Sequence, residues 1–220
     1  MTSISENYIR IKNSIPPDVK LVVVTKTHGV DKIMEAYKAG AKNFGENKVQ
    51  ELLSKYPEMP KDIEWHLIGH LQSNKVKYIA PFISFIHSVD SIKLLKEINK
   101  EALKNNRIIN CLLQVHIAEE TTKFGLDFNE LQELLQSSEL KNMNNIFIAG
   151  LMGMATNTDN EQLIQSEFAT LKKCYDQYQV IQSDNIKFSV LSMGMSSDYS
   201  LAIKCGSNLI RVGSSIFGSR

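Results

Sequence analysis

Short apolar runs rich in β-branched and aromatic residues alternate along this chain with longer polar stretches. The apolar runs are Leu21–Lys26 (LVVVTK), Asn43–Glu46 (NFGE), Glu64–Gly69 (EWHLIG), Ile83–Asp90 (ISFIHSVD), Asn110–Ala118, Ile146–Met154, Ile186–Met195 and Asn208–Gly213, eight in all. Their length and composition predict strands. Between them, Asp31–Ala39, Glu46–Tyr56, Gln72–Ala80, Ser91–Lys104, Asp127–Gln136, Asn160–Tyr178 and Ser197–Cys205 are compatible with helices. Asp31 reads as a cap for a helix that carries Ile33, Met34 and Tyr37 on one face and closes at Gly40. Asp90 precedes another, with Ile92, Leu95, Ile98 and Leu103 near one stripe. A further helix, Ile4–Ile15, stops at Pro16-Pro17 before the first strand.

Strands alternating with helices imply parallel pairing through right-handed crossovers. Eight such units are the number that closes a barrel. An open doubly wound sheet competes, but no GxGxxG follows the first strand, and six or fewer strands would suit that fold better. No Pro/Gly/Ser linker or low-complexity run divides the sequence. The expectation is an α/β protein: a single (β/α)8 TIM-type barrel domain over residues 1–220, with an extra N-terminal helix.

Composition narrows the function. Of 220 residues, 25 are basic and 24 acidic, for a net charge of +1, so there is no basic field for nucleic acid. No apolar stretch approaches the ~20 residues of a membrane span, and MTSISENYIR lacks the pattern of a secretory leader. Cys111, Cys174 and Cys205 stand far apart without CxxC spacing, which predicts reduced thiols and no metal site. A cytoplasmic monomer is expected.

Lys26 is the first candidate for chemistry. Alternation puts Val22, Val24 and Lys26 on one face of the first strand, with the lysine at the carboxyl end, where barrel active sites gather. An amine desolvated there would attack a carbonyl, although a strand-end lysine reaching for solvent fits equally well. The tail NLIRVGSSIFG, Asn208–Gly218, is a strand running into a small-residue turn. After the eighth strand, Gly213, Ser214 and Ser215 can offer N–H groups and hydroxyls to a phosphate, or simply close the barrel. Arg211 alternates inward with Leu209 and Gly213 and needs a partner. That partner is a ring nitrogen, a carboxylate ligand or an interior acid such as Glu46. The strand ends GLMGM and LSMGM line the rim with small, adaptable residues, and Ser196-Ser197-Asp198 reads as a helix start.

The blocks VVVTKT, FGENKVQE, WHLIGHLQSNK, HSVD, LLQVHI, GLMGM, LSMGMSSDY and IRVGSSIFG, in this order from Leu21 to Gly218, resemble the pyridoxal phosphate homeostasis family. That resemblance implies a fold-type-III barrel like the alanine racemase N-terminal domain, binding pyridoxal 5′-phosphate (PLP). It makes Lys26 the Schiff-base lysine and puts Asn47 near the cofactor. Ser196, Gly213 and Ser214 then form the phosphate cradle, and Arg211 faces the pyridine nitrogen. The sequence departs from the family at Thr25-Lys26-Thr27-His28-Gly29, where Ser before the lysine and Pro after it are more usual, and at His116, where Asn is usual.

Asp or Glu at the ring nitrogen makes PLP a strong electron sink, whereas arginine cannot share its proton. The chain ends at Arg220, directly after the eighth unit, and the C-terminal β-domain of related racemases is not expected. A carrier acting in vitamin B6 homeostasis is therefore expected rather than an enzyme, handing PLP to apo-enzymes. A small amino-acid racemase or decarboxylase, and an aldolase-like barrel whose lysine attacks a sugar phosphate, are the alternatives.

Overall fold

The computed structural model describes residues 3–120 and 124–218. It begins with helix α1 (Ile4–Ser14), which is opened by a capping box in which Ser3 accepts from Glu6 N–H and the Glu6 side chain accepts from Ser3 N–H. The strands of the barrel are β1 (Lys20–Val24), β2 (Asn43–Glu46), β3 (Glu64–Leu67), β4 (Phe85–Val89), β5 (Ile109–Gln114), β6 (Ile146–Met152), β7 (Ile186–Ser192) and β8 (Leu209–Val212). The helices after α1 are α2 (Val30–Lys38), α3 (Val49–Lys55), α4 (Val76–Ile79), α5 (Ile92–Lys104) and α6 (Phe128–Gln136). They continue with α7 (Ser138–Lys141), α8 (Glu161–Tyr178), α9 (Tyr199–Lys204) and α10 (Ser214–Phe217).

Each strand pairs in parallel with the next, and β8 returns to β1 with Val22 level with Arg211, so the sheet closes as expected. A two-residue ribbon, Gln182–Ser183, adds an antiparallel edge beside β7 that the apolar pattern does not reveal. Seven of the eight apolar runs overshoot the ladders at the carboxyl ends, and only Asn43–Glu46 matches its strand. The first, for example, extends to Lys26, whereas β1 stops at Val24. Two caps also differ, since Gly29 rather than Asp31 precedes α2, and Ser91 rather than Asp90 accepts from Leu94 N–H at α5.

The main core fills the layer between strands and helices, where Trp65, Phe44, Leu67, Leu95 and Phe168 are fully enclosed. A smaller cluster of Leu112, Ala149 and Met152 lies apart from it, with Phe85, Phe147 and Val190 against it. Gly150 keeps β6 and β7 in close approach: at φ 150°, a Cβ there would lie 1.8 Å from Val190 O.

Candidate functional site

The carboxyl ends of the strands surround a cavity of about 710 Å³. Lys26, Asn47, Ser196, Arg211, Gly213 and Ser214, the six residues that the resemblance assigns to the cofactor, all line it, whereas Ser215, also offered to a phosphate, does not.

Lys26 is half-buried in a turn just past β1. Its Nζ has no hydrogen-bond or ion-pair partner among the described residues. The residue before it is tied to β2, where Thr25 N–H donates to Gly45 O at 3.0 Å. The Thr25 hydroxyl donates to Glu46 Oε1 at 2.6 Å. Thr27 follows with φ 68°, a conformation a β-branched residue adopts only when its surroundings hold it. His28, at the departure noted in the sequence, faces the cavity and stacks on Phe217 with ring centroids 4.3 Å apart.

Glu46 is not Arg211's partner. On β2, Gly45 faces inward against Val22 and Ile68, so Glu46 points outward, between the sheet and α3. There Lys55 Nζ lies 2.5 Å from its Oε1. Burial pushes the Glu46 carboxyl above the usual carboxylate range, against the opposing hydrogen bonds from Lys55 and Thr25. Burial also acts on Glu51, but the Thr27 N–H and Lys55 outweigh it and hold that carboxyl below the usual range.

Arg211 is 4% exposed and makes no carboxylate contact among the described residues. One Nη donates to Ser192 O at 3.0 Å and, in a short contact, to Ser192 Oγ, and the other donates to Gly153 O at 3.0 Å. Ser192 Oγ lies 3.3 Å from His87 Nδ1, and His87 Nε2 lies 2.8 Å from His66 Nδ1. A guanidinium only donates, so the Ser192 proton is used when the serine donates onward to His87 and His87 to His66. That direction requires neutral imidazoles. Desolvation depresses His66 to about 3 and His87 well below its usual value, the latter helped by His66 and Arg211. Burial lowers Arg211 to about 10, so it stays charged at neutral pH.

At the far end of β8, the N–H groups of Gly213 and Ser215 converge on Ser196 Oγ at 3.1 and 3.4 Å. The helix expected to start at Ser196-Ser197-Asp198 begins later, at Tyr199, because Asp198 Oδ1 turns back to accept from Met195 N–H. Asn47 is packed against Gly69, where a Cβ would fall 2.4 Å from Asn47 O.

Several lining residues were not singled out by the sequence. His70 stacks on Phe124 at 4.2 Å across one wall, and Gln114 Nε2 donates to Phe124 O at 2.6 Å. Met154 and Met195, from the two Met-Gly-Met runs, complete the rim. The motif GHLQ carried the one available signal for His70. His116 does not line the cavity, and its Nε2 lies 3.0 Å from Glu120 O. Among the described residues no cluster could hold a metal ion, no helix is long and apolar enough to cross a membrane, and the three cysteines are free.

The arrangement can present an unpartnered amine, a charged guanidinium with no carboxylate in contact and a set of N–H and O–H donors to one ligand. Comparison with known proteins gives a consistent picture. The family model "Alanine racemase, N-terminal domain" matches residues 1–220. A pyridoxal phosphate homeostasis protein of Aquifex aeolicus (strain VF5) is 38% identical over 202 residues, covering 91% of this chain and 87% of that one. The protein of that name from Schizosaccharomyces pombe is 40% identical, covering 92% and 85%. The structure of PipY from Synechococcus elongatus PCC7942 with PLP bound superposes with a TM-score of 0.89 at 36% identity, covering 98% of this chain and all of that one. Alanine racemase of Bartonella henselae, at 17% identity and a TM-score of 0.74, shares the fold over 60% of its length.

Proposed function

The chain belongs to the pyridoxal phosphate homeostasis proteins, built on the alanine racemase N-terminal domain, and from that premise we propose that it binds PLP covalently through Lys26 and carries it. The observation that carries this reading is the free Lys26 amine in one cavity with a buried Arg211 that has no carboxylate of its own. Those donors match a ligand with an aldehyde, a ring nitrogen and a phosphate. The cofactor, when bound, supplies an electrophilic aldehyde and an electron-withdrawing ring.

In this reading Lys26 condenses with the aldehyde as a Schiff base. Arg211, ionised at neutral pH, would donate to the ring nitrogen and offer it no proton to share. Ser196, Gly213 and Ser214 would receive the phosphate, and Asn47 would stand near the cofactor. A weak electron sink suits storage and delivery rather than turnover of amino acids. The relatives are named for PLP homeostasis and not for a reaction. We place the protein in the cytoplasm as a monomer of one domain, 1–220, meeting PLP-dependent apo-enzymes only transiently.

The test is the visible spectrum of the purified protein before and after borohydride, with peptide mapping. The expected outcome is a yellow protein that is bleached with the label fixed on Lys26, and no loss of chirality when amino acids are added. Racemisation or decarboxylation of an added amino acid would favour the enzyme reading. A colourless protein labelled only in the presence of a sugar phosphate would favour the aldolase-like one.

A further inference from the structure

The two peptide groups that flank Lys26 are held from behind by a charged cluster that does not line the cavity. Lys55 Nζ donates to Thr25 O at 2.9 Å, on the near side of Lys26. Glu51 Oε2 accepts from Thr27 N–H at 2.7 Å, on the far side. Lys55 Nζ joins the pins by lying 3.3 Å from Glu51 Oε2 and 2.5 Å from Glu46 Oε1. Between them Thr27 keeps its left-handed φ of 68°, a strained state that persists only where neighbours fix it.

We propose that Lys55, with Glu51 and Glu46, is a set of positioning residues for Lys26, holding its turn in the single conformation that aims Nζ into the cavity. This rests on the reading of Lys26 as the attachment lysine. Condensation joins Nζ to the aldehyde carbon and releases the carbonyl oxygen as one water, so no oxidant or reductant enters. The cluster touches none of the reacting atoms. It acts by keeping the nitrogen within reach and in line, the kind of restraint whose loss costs rate rather than ligand affinity.

The experiment mixes apo-protein with PLP and follows the rise of the visible band, with borohydride trapping and peptide mapping at each time point. Affinity for pyridoxine 5′-phosphate, which keeps the ring and phosphate but replaces the aldehyde with an alcohol, is measured in parallel. Glu51→Ala removes the Thr27 pin and leaves the Lys55–Glu46 pair in place. It is expected to slow attachment about tenfold or more, with pyridoxine phosphate affinity held within about twofold. Glu51→Gln keeps the acceptor and restores the rate to within about threefold of the parent. The double change Lys55→Met with Glu46→Gln removes the buried pair together, avoids an isolated charge, and is expected to slow attachment as Glu51→Ala does. Unchanged attachment rates in the folded variants would overturn the inference, as would a loss of pyridoxine phosphate affinity equal to the loss of rate. A label on a lysine other than Lys26 in the parent protein would instead bring down the attachment reading, and this inference with it.

Discussion

Lys55 and Arg211 are both almost wholly enclosed, one outside the barrel sheet and one inside it, and are kept there by different means. Lys55 lies outside the sheet and is matched by the carboxylates of Glu46 and Glu51. Arg211 lies inside and is matched by two carbonyls, a hydroxyl and, beyond it, two neutral imidazoles. Carboxylates in direct contact oppose desolvation on the outer side, while on the inner side carbonyls and a hydroxyl make the contacts and buried Asp198 acts only from a distance. A charge already neutralised holds the scaffold together and has nothing left to offer a ligand. A charge with no carboxylate in contact keeps much of its field for whatever enters the cavity.

The sharpest way to break this comparison is to remove one cation. Lys55→Met leaves Glu46 buried without its partner and is expected to cost about 3–5 kcal/mol at pH 7. Most of that should return in the double variant with Glu46→Gln, as measured by denaturant unfolding. A loss below about 1 kcal/mol would mean that the outer pair is not the compensating element proposed.

Acid separates the two sides by sign. The histidines have folded pKa values far below the ~6.5 of an unfolded chain, so the unfolded state binds more protons, and stability falls as pH drops from ~6.5 toward about 3 for His66. Each contributes a slope of up to about 1.4 kcal/mol per pH unit in that window. Glu46 is shifted the other way. Above the unfolded ~4.3 and up to its raised folded value the native state holds the extra proton, so its contribution to stability grows as pH falls. Stability measured from pH 7 down to pH 4 should therefore depend less on pH in His87→Asn, and more on pH in Glu46→Gln just above the unfolded ~4.3. Identical slopes in the two variants would contradict the contrast.

The smallest effect tests the inner field directly. Arg211→Met is expected to weaken PLP binding by about 1.5–3 kcal/mol, the range for a hydrogen bond from a charged donor, seen by equilibrium dialysis as roughly ten- to a hundredfold. Lys55→Met with Glu46→Gln, by contrast, should leave affinity for the non-aldehyde analogue nearly unchanged.

Much of this protein was legible before folding. The period-2 alternation in LVVVTK puts Lys26 on the inward face with Val22 and Val24, and the structure brings Val24 and Lys26 to the same cavity. The inward turn of Arg211 followed from the same rule, and its seclusion inside the barrel agrees with it. Glu46 was misplaced because NFGE is only four residues long, with one glycine, too short for alternation to say which face is which. Only α3, arriving with Lys55, identifies the outer face as the one that accepts a carboxylate.

The sequence by itself determined the eight barrel strands, their parallel order and the inward aim of the lysine and arginine, because local apolar periodicity and strand alternation depend on neighbours in the chain. The tertiary structure alone decided the rest. His66 and His87 stand on separate strands, His70 meets Phe124 across a wall, and Lys55 reaches the peptides around Lys26 from a helix. Each of these pairings requires ring closure or helix docking to bring distant residues within hydrogen-bond or van der Waals reach, and no local pattern encodes that distance.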